Sequence, residues 1–142
     1  MIQIIAGEKG KGKTKVLLDK VNASVKEKYG NIVYLDKSVK HMYELNTKVR
    51  LINCKDYYVT NTSEFIGFIC GIISQDHDLE EIYLDSFLNI ACLEDKDADM
   101  LSAALEKLSK ISDMFHVDMI MSVSRNKEDL PASCHDKVIV AL

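Results

Sequence analysis

The chain has no tryptophan, one proline and only six glycines among its 142 residues. That scarcity excludes low-complexity, collagen-like and proline-stiffened chains. Arginine is nearly missing: Arg50 and Arg125 are the only two, which leaves nothing from which to build an arginine-rich lid over a substrate. Positive charge is not in excess either. A net charge of −4 offers no general basic surface, so nucleic acid is not indicated as a partner. The longest apolar stretch, Phe65 to Ile73, falls far short of the roughly 20 residues that span a bilayer. The N-terminal apolar run lacks the basic flank and the length of a signal peptide, so the expectation is a cytoplasmic protein with no membrane partner. Cys54, Cys70, Cys92 and Cys134 form no Cys-x-x-Cys pair, and only Cys134 has a histidine beside it. They read as reduced thiols, neither a zinc site nor a disulfide framework.

What is present is an ordinary globular composition, 47% hydrophobic and 28% charged, which leaves no stretch to assign to a disordered tail. A single domain over residues 1–142 is expected, large enough to bury about 68–70% of its unfolded surface.

The densest signal opens the chain. Ile2 to Ala6 is a short apolar run that reads as a buried strand, and Thr14 to Tyr29 reads as a helix. Between them lies Gly7-Glu8-Lys9-Gly10-Lys11-Gly12-Lys13-Thr14, which fulfils the pattern G-x-x-x-x-G-K-T of the phosphate-binding P-loop. A polyphosphate needs several backbone N–H groups turned around it at a helix N-terminus, where the dipole favours anions. Gly7, Gly10 and Gly12 allow the curl, and Lys9 and Lys11 add positive charge. Lys13 can reach the β- and γ-phosphates, and the Thr14 hydroxyl can ligate Mg2+.

Further along, Leu17, Leu18, Val21, Val25 and Tyr29 recur at helical spacing, with Gly30-Asn31 as a left-handed stop. Ile32-Val33-Tyr34-Leu35 reads as a strand buried on both faces, with Asp36 emerging at its carboxyl end. Ligands of open α/β sheets sit at those ends, so Asp36, Lys37 and Ser38 are near-site candidates, although a strand-terminating aspartate is an equally ordinary feature. Residues 38 to 60 carry weak signals: a short helix around Met42 to Leu45 and a short strand from Val49 to Asn53. Thr62-Ser63-Glu64 opens a helix with a wide apolar face from Phe65 to Ile73, whose Gly67 and Gly71 are expected to allow close packing.

Glu81 to Leu84 is a second apolar strand, and it delivers Asp85. Downstream of a complete P-loop it reads as a Walker B segment, whose carboxylate orients the shell of the Mg2+ ion. The acids at Glu94, Asp95, Asp97 and Asp99 read as a solvated helix start rather than a metal site. Leu101 to Phe115 is an amphipathic helix. Val117 to Ser124 is a strand with a polar tip at Ser122, Ser124, Arg125 and Asn126, and Lys137 to Leu142 is a last strand.

Taken together, these segments resemble the RecA-like branch of the P-loop ATPases. They are also similar to small stand-alone bacterial proteins labelled twitching-motility-type ATPases. The resemblance implies a three-layer α/β fold with a mainly parallel five-stranded sheet in the order 5-1-4-3-2. It implies Ser122 or Ser124 as the γ-phosphate sensor and ATP with Mg2+ at the carboxyl edge. One departure concerns catalysis: no glutamate ends a core strand to orient the attacking water, and Asp36 is the nearest substitute. The expected activity is therefore slow hydrolysis of ATP to ADP, stimulated by a protein partner or by homo-oligomer formation. Three alternatives stand beside it: a small GTPase reading guanine with Asn126-Lys127-Glu128-Asp129, a small-molecule kinase, and a nucleotide-sensing module without turnover.

Overall fold

A computed structural model describes all 142 residues. Six strands form one sheet: β1 (Ile2–Ala6), β2 (Asn31–Asp36), β3 (Val49–Asn53), β4 (Leu79–Leu84), β5 (Asp118–Val123) and β6 (Val138–Ala141). Every adjacent pair is parallel, and the order is β3-β2-β4-β5-β1-β6. The expected five strands become six because Val49–Asn53 pairs with β2 and extends the edge. Without β3 the remaining order, read from the β6 edge, is the expected 5-1-4-3-2.

The central strands are apolar on both sides because both faces of the sheet are covered. Helix α1 (Lys13–Ser24) covers one face, where Leu17, Leu18 and Val21 pack with Ile5, Ile32, Tyr34, Tyr83 and Ile120. The opposite face carries α2 (Thr62–Ser74), the single turn α3 (Phe87–Ile90) and α4 (Ala98–Phe115), over a larger cluster that includes Ile4, Val33, Leu35, Leu84 and Met121. Burying one such leucine or isoleucine contributes about 1.5–3 kcal/mol, so α1 is pinned by its apolar stripe before any ligand is considered. No helix is long and apolar enough to cross a membrane.

Three local expectations change. Helix α1 ends at Ser24, and Tyr29, though at helical spacing, is fully exposed. Gly30 is not a left-handed stop: its N–H donates to Glu80 Oε2, and a Cβ there would lie 2.2 Å from the Asp78 carbonyl oxygen. Close approach of two chain segments is what requires glycine here. Gly67 and Gly71 do not mediate close packing, since a Cβ on either would meet nothing within 4 Å.

Candidate functional site

The carboxyl ends of β1, β2, β4 and β5 open onto a cleft of about 700 Å³. Its lining includes Lys9, Lys13, Lys37, Lys40 and Arg125 against the acids Asp85 and Glu94. That balance suits an anion carrying several charges.

The glycine-rich loop earns its glycines unevenly. Gly10 has φ +81° and Gly12 has φ +91°, conformations that cost an L side chain on the order of 1–2 kcal/mol. Gly7 is different: a Cβ there would lie 3.1 Å from Leu142 Cβ, so packing against the last residue makes its demand. Gly12 is the N-cap of α1 and supplies no side-chain acceptor, and no acid occupies the first turn. The first-turn N–H groups are thus left for an outside acceptor.

Lys13 is buried, and its Nζ donates to the Glu8 carbonyl at 2.8 Å. Burial holds its ammonium below the usual value, Asp85 pulls the other way, and Lys9 adds to the lowering. Lys9 lines the cleft, whereas Lys11 is exposed outside its lining.

Asp85 is the hub. It follows β4 directly and is 2% exposed. Its Oδ1 accepts from Thr14 Oγ1 at 3.2 Å, Ser122 Oγ at 2.8 Å and the Ser86 N–H at 2.9 Å, while Oδ2 accepts from Tyr34 OH at 2.9 Å. Sheet register explains this convergence. Leu84 pairs with Met121 on one side and Leu35 on the other, so the next residues, Ser122, Asp85 and Asp36, lie side by side. Thr14 and Asp85 are therefore two oxygen donors from different elements, close enough to share one divalent cation.

Asp36 is brought beside Asp85 but beneath the cleft, not into its lining: it is 3% exposed, with Oδ1 accepting from its neighbour's Lys37 N–H at 2.7 Å. Its Oδ2 is buried with no hydrogen-bond partner. Burial first, then the Asp85 charge, push this carboxyl up to about 6, against the lowering influence of Lys37 and His41. A carboxyl in that range is suited to accepting a proton near neutrality.

Of the other expected residues, Ser124 and Arg125 line the cleft, and Arg125 also donates to the carbonyls of Ser124 and Glu94. Ser122 also lines the cleft, but its hydroxyl is engaged twice, donating to Asp85 and accepting from the Ser86 N–H. Arg50 is elsewhere, exposed on the edge strand β3. Asn126 reaches the loop, donating from Nδ2 to Glu8 Oε1 at 3.0 Å, and Lys127–Asp129 forms a 3₁₀ turn.

Sequence reasoning missed Tyr34, Lys40, His41 and Ser86. Tyr34 had a signal: a tyrosine inside a fully buried strand needs a partner for its hydroxyl, and Asp36 shares its side of the strand two residues on. Burial and Asp85 drive that hydroxyl's titration far upward, so it remains a donor. Ser86 sits at φ +54°, a left-handed conformation that non-glycine residues rarely adopt, and it turns the chain sharply after Asp85. No protein-family model matches the chain, and no curated protein matches it.

Proposed function

We propose that this chain is a P-loop nucleotide-binding protein of the RecA-like kind, which binds ATP with Mg2+ in the cleft and hydrolyses it slowly to ADP. One observation carries the reading. The uncapped start of α1, with Lys13 and Thr14 in its first turn, lies against a buried aspartate from another strand, Thr14 Oγ1 being 3.2 Å from Asp85 Oδ1. The sheet supports it, since β5 lies between the glycine-loop strand β1 and the aspartate strand β4.

In this reading the α1 N–H groups and Lys13 hold the β- and γ-phosphates, with Lys9 adding charge. Thr14 and Asp85 hold Mg2+, which when bound neutralises phosphate charge. Tyr34 and Ser122 fix the Asp85 carboxylate. Ser124 and Arg125 face the γ end, Ser124 being freer than Ser122 to donate there. Asp36 Oδ2 accepts the proton of the attacking water. An aspartate standing in for the usual glutamate, at the end of a shorter side chain, makes turnover slow: displacing one preorganised group typically costs on the order of 10²–10³ in rate. Stimulation by a second copy or a partner follows naturally, and Arg50, outside the cleft, is available only to a neighbouring molecule.

The test is binding of labelled ATP to Lys13→Ala with melting as a folding control. Affinity is expected to fall by about a hundredfold, as for loss of a charge-assisted contact. Equal affinity in a folded variant would overturn the reading.

A GTP reading has one observation in its favour, the Asn126 contact to Glu8 that sets the Asn-Lys-x-Asp sequence beside the loop. Against it, the glycine that GTPases place three residues after the aspartate is here Leu88, buried in α3, and only 3₁₀ turns separate β5 from β6. Adenine is therefore the proposed base. Competition of ATP and GTP for one fluorescent analogue separates the two, and a GTP preference lost in Asp129→Ala would reverse the assignment.

A further inference from the structure

Asp36 Oδ2 is an uncommon atom: a carboxylate oxygen of a residue 97% buried by exposure, beside a second carboxylate, with no donor from the protein. Asp85 alongside has the opposite condition, with four donors satisfying it. Like charges on adjacent strands repel, so something cationic or acidic is called for at Oδ2 and not at Asp85 alone. The third neighbour is His41. One ligand atom from each of Asp36, His41 and Asp85 can be chosen so that all lie within 4.8 Å of one another.

The histidine ring is held from one side. Its Nδ1 is held by Glu44 Oε2, within the 3₁₀ turn Met42–Glu44 that His41 caps. That pairing leaves Nε2 as the free ring nitrogen. A carboxylate behind the ring is the common way of fixing a metal-binding imidazole, because it sets the tautomer and raises the basicity of the ligating nitrogen. Three ligand atoms around one ion with bonds of about 2.0–2.2 Å stand about 3.3–3.7 Å apart, so side chains whose ligand atoms lie within 4.8 Å of one another close by up to about 1.5 Å to hold it.

We propose that Asp36, His41 and Asp85 form a binding site for a divalent first-row transition-metal ion, distinct from the Thr14–Asp85 pair in two of its three ligands. One imidazole and two carboxylates favour ions from Mn2+ to Zn2+ over Mg2+, which takes oxygen donors. Asp85 is shared by both sites. The inference rests on residue placement and does not require that the cleft bind a nucleotide. It also gives Asp36 a role different from proton acceptance, and His41 separates the two roles, because removing the imidazole takes away a metal ligand while leaving the carboxylate.

Co2+ is the probe, since its visible absorption reports the ligand set directly. Chelator-treated, nucleotide-free protein is titrated with Co2+, and the melting temperature is read alongside. The parent is expected to bind one ion with a new visible band and a raised melting temperature. His41→Ala, on a half-buried loop position that can change without unfolding the sheet, should weaken binding at least tenfold and alter the band. Asp36→Asn should do the same, and His77→Ala, exposed on another loop, should not. No band in the folded parent at millimolar Co2+, or parent-like titration of His41→Ala, would overturn the site. Because ATP is absent throughout, that failure would leave the nucleotide reading to be judged by Lys13→Ala.

Discussion

Helices α1 and α4 begin in opposite ways. Helix α4 is closed by its own chain: Asp97 is the N-cap, its side chain accepts from the Met100 N–H at 2.9 Å, and Asp99 adds a negative charge to the first turn. Helix α2 is built alike, with Asn61 accepting from Glu64. Helix α1 starts at Gly12 with no side-chain acceptor, no acid, and Lys13 and Lys15 in its first turn. The same backbone dipole and orphan N–H groups exist at every helix start. Two helices spend them on stability, and the third holds them open beside a basic cleft.

The largest expected effect comes from erasing this difference at α1. Gly12→Asp places a carboxylate where α4 carries one, and Gly12→Asn introduces nearly the same shape without charge. Both strain a backbone at φ +91°, costing about 1–2 kcal/mol, so they should melt alike. ATP affinity should nonetheless fall much further for Gly12→Asp, by about a hundredfold or more, because a fixed negative charge replaces an attraction. Equal affinities of the two variants would mean that the field at this helix start does not hold the ligand.

Asp85→Asn comes next. Asp85 takes four hydrogen bonds, and an amide can accept with only one of its two heads, so Tyr34 or Ser122 must turn round. A stability loss of about 1–3 kcal/mol is expected, together with loss of the Mg2+ dependence of nucleotide binding. Retained Mg2+ dependence in the folded variant would remove Asp85 from the metal.

Asp36→Asn should instead stabilise the metal-free protein, with a pH signature. The carboxyl moves from an ordinary 3.8 to about 6 on folding, because of burial and then Asp85. Below about pH 4 it is protonated in both states and costs nothing. As pH rises from about 4 to 6 the unfolded chain releases its proton first, so stability is lost, and above about 6 the loss is complete, on the order of 1–3 kcal/mol. The asparagine variant escapes that loss. Melting in chelator should show its advantage at pH 8 and little of it at pH 4, and a constant difference across that range would contradict the coupling.

The contrast between helix starts also marks how far the sequence could be read. Gly10, Gly12, Lys13 and Thr14 were legible because their conformations and charges are local demands on residue type. Asp85 was legible because an apolar strand with a polar end has a simple pattern. In the segment from Ser38 to Thr60 the short helical turn at Met42 and the strand Val49–Asn53 were legible, but the side chains it brings to the cleft were not, since it is made of the 3₁₀ turns Met42–Glu44 and Cys54–Tyr57 around a half-buried edge strand. Such turns are held by single side-chain bonds, Asn53 to the Lys55 N–H among them, and have no period to detect. Lys40 and His41 belong to that segment, so the second half of the cleft stayed hidden. Tyr29 failed for the converse reason: its spacing fits the helix, but nothing in the fold lies opposite it to be buried against.

The smallest expected effect falls on α4, and it tests whether the two helix starts are independent. Asp97→Ala removes an N-cap whose loss typically costs about 1 kcal/mol, and the first-turn N–H groups of α4 then resemble those of α1. If an uncapped helix start were enough to bind phosphate, this variant would acquire a second ATP or pyrophosphate site. It should not. Around α4 the chain places Glu94, Asp95 and Asp99, with no left-handed glycine loop and no buried lysine, so the local field repels an anion even after Asp97 is gone. Melting should show the stability loss, and ATP titration should show unchanged affinity and one site. A second site in Asp97→Ala would mean that helix polarity alone recruits the ligand, and the weight now given to Lys13, Gly10 and Gly12 would have to move to the backbone.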